Sequence, residues 1–333
     1  MARERVSNEP GSVPRASGRL LQLLPGLGLL SAAVLCQPPF SVPHERRFGI
    51  YRLDLASQRV ELLNSTNREL QTSALRLNSA GTALAFAQKL DGDSATDWEI
   101  CIIDTGGRGV RRITNNQVMD LYPAWSPDGA RIAFISQRGR DLDIRVVDTA
   151  GTADTLLFDS GRHDADIDWR DSHIVFTSAF RVWRMNDDGT HAAALTAPPN
   201  AGEWGRANLP AGDYDPRLSP DGLTVVFERL EDTARTHGGY NLFTISVDGS
   251  RETRLTNNGY SQGLASWSNS GEQLVYVVAA IGDQGQYHIW QMDQDGSNNR
   301  DITPPYFPAG FLCHAPVFGP DDTQIYFIGQ WWE

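Results

Sequence analysis

The chain is nearly without lysine. Lys89 is the single one in 333 residues, and arginine supplies the rest of the 29 basic side chains against 41 acidic ones, for a formal charge of −12. No basic stripe is available to neutralise phosphates, which excludes nucleic acid as a partner. Cysteine is almost as scarce. Cys36, Cys101 and Cys313 include no C-x-x-C pair and the seven histidines are scattered, so neither a disulfide framework nor a zinc knuckle can be built. Only one long uncharged apolar run exists, the 17 residues from Leu20 to Cys36. It falls between a membrane span of about 20 residues and a signal-peptide core of about 7 to 15. What the chain does have is 40% hydrophobic residues, nine tryptophans and 31 glycines, the composition of an ordered globular protein.

Arg3, Arg5, Arg15 and Arg19 precede the apolar run, and Ser31-Ala32-Ala33 supplies small residues for cleavage after Ala33. Residues 1–46 are therefore expected to be a signal peptide or an N-terminal membrane anchor plus linker, and residues 47–333 the folded domain. Ala33-Val34-Leu35-Cys36 approaches a bacterial lipoprotein box, but Leu35 stands where a small residue belongs, so lipidation is the lesser reading. Export is common to all three. The domain is expected to be extracytoplasmic (periplasmic, secreted or anchored) and to meet the membrane only through this leader.

Internal repeats decide the fold class. Tyr122-Pro-Ala-Trp-Ser-Pro-Asp-Gly-Ala-Arg-Ile-Ala-Phe134 recurs as Asp215 to Phe227 and as Leu264 to Tyr276, with weaker copies from Ala74, Asp166 and Ala315. The anchor positions Leu77, Trp125, Trp169, Leu218, Trp267 and Phe318 lie 48, 44, 49, 49 and 51 residues apart. Each unit reads as a tight turn and an apolar strand followed by a second hairpin ending near Leu/Ile-Thr, as in Leu242 to Thr256. Four short strands per period of about 45 residues is the blade of a β-propeller. The sixth unit has only two strands before the chain stops, and Gly49–Asp54 with Arg59–Leu63 supply the missing pair. The expected fold is all-β, a six-bladed propeller of four-stranded antiparallel blades whose last blade is closed by N- and C-terminal strands.

The W-S-P-D-G-x-x-I-A-F unit resembles the repeat of the TolB family's six-bladed propeller, over about 285 residues. That resemblance implies the propeller fold and a periplasmic, protein-binding role. Similar propellers occur in oligogalacturonate lyases, where histidines hold a metal at the channel mouth, and as caps on prolyl oligopeptidase-like enzymes.

Several motifs compete for a function. Gly259-Tyr-Ser-Gln-Gly263 matches the G-x-S-x-G nucleophile elbow, but it occupies the entry to a blade and no helix pattern follows Ser261. Asp293-Gln-Asp-Gly296 resembles the opening of a calcium loop, yet its twelfth position is Pro304, and Asp and Gly are also what a hairpin turn demands. Trp125, Trp169 and Trp267 recur in one phase and read as packing between blades, and Trp331 and Trp332 as packing across the closed blade.

The informative positions lie at the start of each innermost strand. Five residues before the anchors stand Thr72, Asp120, Asp164, Asp213, Gln262 and Cys313; three before them stand Tyr122, Asp166 and Asp215. With Tyr214 and His314 beside them, these are expected to line one channel mouth with an acidic half. That half suits a cation, either a divalent ion such as calcium or a basic segment of a protein or peptide partner. Irregular links near residues 89–97, 197–212, 230–240 and 280–286 fall on the same face. The expectation is a non-enzymatic scaffold that binds a protein, peptide or envelope component there. A metal-dependent lyase or other hydrolase using His163 and His314, and a purely structural propeller, are the alternatives.

Overall fold

Each repeat builds its blade from the same local chemistry. In the second repeat Ser126 Oγ donates to Asp128 at 2.5 Å, Arg131 N donates back to Ser126 Oγ at 2.9 Å, and Gly129 takes a φ of +69°. Ser219, Asp221 and Thr224 repeat these contacts two blades later. The turn is thus closed by its own side chains, and the Ile-Ala-Phe stretch that follows is buried between neighbouring blades.

The computed structural model describes residues 45–89, 97–235, 238–281 and 286–333, and among them there is no helix. The leader expected over residues 1–46 lies, but for its last two residues, outside the described residues, as do most of the links at 89–97 and 280–286. Four blades are separate antiparallel sheets, with innermost strands Leu70–Leu77, Asp120–Trp125, Asp164–Arg170 and Gly212–Leu218. The fifth begins at Ser261–Trp267 and the sixth at Leu312–Phe318; one parallel bridge, Tyr287 to Leu312, joins them into a single sheet. Successive innermost strands touch, and the sixth touches the first, so the ring is closed.

The sixth blade takes half its strands from each end of the chain. Arg46–Asp54 pairs antiparallel with Gln324–Trp332 along its whole length, and Val60–Thr66 pairs outside it. Gly49 and Gly329 face each other in that pairing, and a Cβ at Gly329 would come within 2.5 Å of the Tyr51 and Phe311 rings. The space so kept holds an aromatic cluster in which Tyr51 stacks on Phe327 at 5.3 Å and Trp331 on Phe311 at 6.1 Å. Trp331 packs across the closed blade, whereas Trp332 is 39% exposed.

The two hairpin turns within each blade project to one face, and the links between hairpins and between blades to the other. On the link face the third blade makes an unusual two-residue turn: Ala179 and Phe180 both take positive φ, +49° and +65°. Such turns favour Asn-Gly, because a Cβ is strained there. Replacing Ala179→Asn is therefore expected to raise unfolding stability by about 0.5–1 kcal/mol, measured by urea denaturation.

Candidate functional site

The innermost strands share one irregularity. In blades two to six the pairing with the second strand slips by an extra residue, and Tyr122, Asp166, Asp215, Leu264 and Ala315 take φ between +43° and +54°. Each is the residue three before its anchor. This repeated bulge turns one side chain per blade away from its own sheet and frees its backbone N–H from the ladder. Neighbouring blades take up three of these donors. Tyr122 N donates to Gln71 Oε1 at 2.8 Å, Asp215 N to Asp166 Oδ2 at 3.3 Å, and Leu264 N to Glu228 Oε2 at 3.0 Å. The anchors are tied the same way: Trp125 Nε1 donates to the Arg76 carbonyl at 3.1 Å, Trp267 Nε1 to that of Arg217 at 3.2 Å, and Leu218 N to Asp168 Oδ2 at 2.8 Å. Trp169 instead lies under the Arg131 guanidinium at 4.9 Å.

Through these bulges Tyr122, Asp166 and Asp215 meet in one buried cluster that also contains Arg76, Arg217 and Glu228, with the half-buried Asp168 beside it. Arg217 pairs with Asp215 Oδ1. Burial lifts the Asp166 carboxyl to about 6 and Glu228 to about 8, and it drives Asp215, which also faces Asp166 and Glu228, well above the usual carboxylate range.

The residues five before the anchors form a different layer. Asp120, Asp164 and Asp213 are each fully buried and bonded within their own blade or the link leading into it. Asp120 accepts from Ser136 Oγ at 2.6 Å and Asn116 Nδ2 at 2.7 Å, and Asp164 from Ser160 Oγ at 2.7 Å. Asp213 takes two bonds from Arg229, at 2.6 and 2.9 Å, and Arg229 also holds Glu252. Burial lifts the Asp164 carboxyl to about 6. The structure thus divides the acidic set: Asp166 and Asp215 share a site, while Asp120, Asp164 and Asp213 do not converge with them.

Around the mouth, Gln262 bonds to Asn258, and Tyr214 OH donates to the Pro210 carbonyl at 2.7 Å. His314 is fully buried against the edge of Tyr287, 5.6 Å between centroids, and burial lowers its pKa to about 3, so its ring is neutral at physiological pH. His163 is exposed. Ser261 is no free nucleophile, for its Oγ donates to the Gly238 carbonyl at 2.9 Å and accepts from Tyr240 N. Asp293 accepts from Asn298 Nδ2 at 2.6 Å while Gly296 N donates to its carbonyl, a hairpin turn.

The link between blades three and four closes part of the mouth. Its Ala207 and Leu209 pack into one apolar cluster with Tyr214, Leu264, Tyr287 and Leu312 from blades four to six. Arg206 N and Ala207 N donate to the Thr233 carbonyl at 2.6 and 3.1 Å, and Arg235 reaches from the next link to the Gly259 carbonyl at 3.1 Å. Along this stitched strip three aromatics face solvent: Phe180 (37% exposed), Trp204 (56%) and Tyr260 (42%).

Two consequences bear on chemistry. Among the described residues no group of three or more His, Cys, Asp or Glu side chains is placed to hold a metal ion. Of the carboxylates expected to take calcium, Asp120, Asp164, Asp213 and Asp215 each accept from a serine, asparagine or arginine donor, and Asp166 accepts from Asp215 N. Glu228, Arg76, Asp168 and Arg217 were not among the residues singled out from the sequence. Glu228 was detectable: the position after the repeat's last aromatic carries Ala87, Ile135, Thr177, Glu228, Val277 and Ile328, and only one of these is charged.

Comparison with known proteins agrees with this geometry. An uncharacterized protein of Agrobacterium fabrum is 24% identical over 242 residues, 68% of this chain and 77% of that protein. The solved structure of a TolB candidate from Agrobacterium tumefaciens matches with a TM-score of 0.67 at 17% identity, covering 86% of this chain and 99% of that one. The domain is a TolB-like propeller. A TolB homolog of Chlorobium chlorochromatii is 29% identical over 147 residues, 44% of this chain, and the match spans 31% of that relative's length. An oligogalacturonate lyase in complex with manganese shares the fold at a TM-score of 0.53 and 13% identity, over 85% of this chain and 82% of the lyase. At these identities the structural likenesses establish the fold alone. No family model matches the chain.

Proposed function

We propose that this TolB-like propeller is an exported, non-enzymatic scaffold whose link face binds a protein or peptide partner. The observation that carries the reading is the strip of Phe180, Trp204 and Tyr260, three exposed aromatics held on stitched links above a mouth that Ala207 and Leu209 partly fill. Exposed aromatics on a rigid base supply contact area at little entropic cost, and aromatic residues dominate binding energy at protein interfaces. Beneath it, among the described residues, Ser261 is held by the Gly238 carbonyl and Tyr240 N, and His314 is buried and neutral. A TolB relative and the leader's composition both favour an extracytoplasmic location.

The test uses a photo-crosslinking residue in place of Trp204 and, separately, of Leu223, which is 62% exposed on the opposite, hairpin-turn face. In envelope fractions the Trp204 position should capture a discrete protein adduct and the Leu223 position should not. Equal capture at both positions, or none at Trp204, would remove the link face as the binding surface.

A further inference from the structure

We propose that a cleft between the fourth and fifth blades, bordered by hairpin turns rather than by the links, binds an alkylguanidinium cation. The cleft has a volume of about 640 Å³, the size of a small-molecule site. Thr244 and Thr253 of the fourth blade form one wall, and Glu272, Asp293, Gln294 and Asp295 of the fifth form the other. Thr244 and Thr253 face each other across the two outer strands of their blade.

The other repeats show what belongs there. The same facing pair is Ile102 with Arg111 in the first blade, Arg184 with Ala193 in the third, Gln291 with Arg300 in the fifth and Arg52 with Glu61 in the sixth. Four blades thus place an arginine at this level, and in the second the buried Val146 takes the position. Two of these arginines cross to the next blade. Arg111 Nη1 donates to the Thr149 carbonyl in the outer turn of the second blade, and Arg184 Nη1 to the Val247 carbonyl in that of the fourth at 3.0 Å. The carbonyl at the same turn position of the fifth blade belongs to Gln294, and no arginine reaches it. The cleft lies where that side chain would run.

Its walls suit the same group. Thr244 is 8% exposed and lines the space, yet its hydroxyl makes no hydrogen bond among the described residues. Glu272, Asp293 and Asp295 contribute three carboxylates, and among the described residues no basic side chain lines the cleft. Hydrogen bonds from Ser297 hold the Asp295 carboxyl below its ordinary value, so it is charged at neutral pH. A guanidinium carries five N–H donors in one plane and can meet a carbonyl, a hydroxyl and a carboxylate together. An ammonium, with three donors on one atom, matches that set less well.

The experiment is calorimetric titration and thermal melting of the purified protein with n-butylguanidinium and, as the control of equal charge, n-butylammonium at fixed ionic strength. The guanidinium should bind at least about tenfold more tightly, and at about a hundredfold excess over its dissociation constant it should raise Tm by about 5 °C. Agmatine and a capped Gly-Arg-Gly peptide separate the two sources of the group. Tighter agmatine assigns the cleft to a free small cation, and a tighter peptide assigns it to an arginine within a chain. Thr244→Arg supplies the side chain from within, as Arg184 does one blade earlier, and should raise Tm without ligand and abolish binding. Glu272→Gln combined with Asp295→Asn changes two exposed residues and should weaken binding at least about tenfold. The proposal is overturned if no guanidinium probe binds, if n-butylammonium matches n-butylguanidinium, or if the variants bind like the wild type. Should Thr244→Arg not fold, the double variant decides alone.

Discussion

Deletion of residues 45–66 is expected to abolish cooperative unfolding and yield an aggregating product. The deletion removes both N-terminal strands of the sixth blade and leaves Gln324–Trp332 as a nine-residue unpaired edge. It also strips Phe48 and Ile50 from the apolar cluster that joins the sixth blade to Leu70, Leu75 and Phe86 of the first. A long apolar edge is a template for intermolecular pairing, and a ring opened at one blade loses its closing interface as well. The informative control moves residues 45–66 to the C-terminus through a short linker, restoring the pairing without restoring the order. That permutant should melt in one transition close to the full-length protein. A truncated chain that still melts cooperatively at the full-length Tm would contradict closure by the termini.

The second large effect concerns pH. Glu228 is buried with its carboxyl lifted to about 8, from an ordinary value of 4.5, and Asp166 is lifted to about 6. A carboxyl whose folded pKa exceeds its unfolded one binds its proton more tightly when folded, so its contribution is complete below the unfolded value and is lost as pH rises through the folded one. For these two groups that window runs from about 4 to 8. Each pKa unit corresponds to about 1.4 kcal/mol, so the loss from Glu228 alone is on the order of a few kcal/mol. The protein should therefore have a higher Tm near pH 5.5 than at pH 9. Glu228→Gln keeps an oxygen for Leu264 N and cannot ionise; it should raise Tm at pH 9 by about 5 °C or more and flatten the pH profile. Glu228→Ala, which orphans that N–H, should be less stable at every pH. A wild-type Tm that rises from pH 5.5 to 9, or a Glu228→Gln variant as pH-sensitive as the wild type, would show that the carboxyl is ionised in the native channel.

Much of the fold was legible because two unrelated signals share one period. Ser-Pro-Asp-Gly states a turn by side-chain chemistry, Ile-Ala-Phe states the buried strand behind it, and both recur at the anchors from Leu77 to Phe318. The split final blade followed from counting strands. The site was legible only in part, and the reason is the bulge. Simple alternation puts residues five and three before an anchor on the same side, which places Asp164 with Asp166 and Asp213 with Asp215. The left-handed residue at Asp166 and Asp215 adds one position to the strand and changes the phase, so Asp164 and Asp213 turn into their own blades. No residue type announces this, since Tyr, Asp, Leu and Ala all occupy the left-handed position. Arg76 and Arg217 escaped for another reason: an arginine one residue before an anchor reads as a solvated edge until the ring closes around it. The exposed Trp204 sits in an irregular link whose Ala207 and Leu209 are core residues, and only their contacts with three blades separate the two roles.

The measurement that bears most directly on the central claim is the dissociation constant of the partner captured through the Trp204 position, determined for wild type, Trp204→Ala and Leu223→Ala. Both substituted side chains are more than half exposed, so neither change disturbs the core. If the link face is the binding surface, Trp204→Ala weakens the complex at least about tenfold and Leu223→Ala leaves it unchanged. The reverse ranking, or equal affinities for all three proteins, would contradict the assignment.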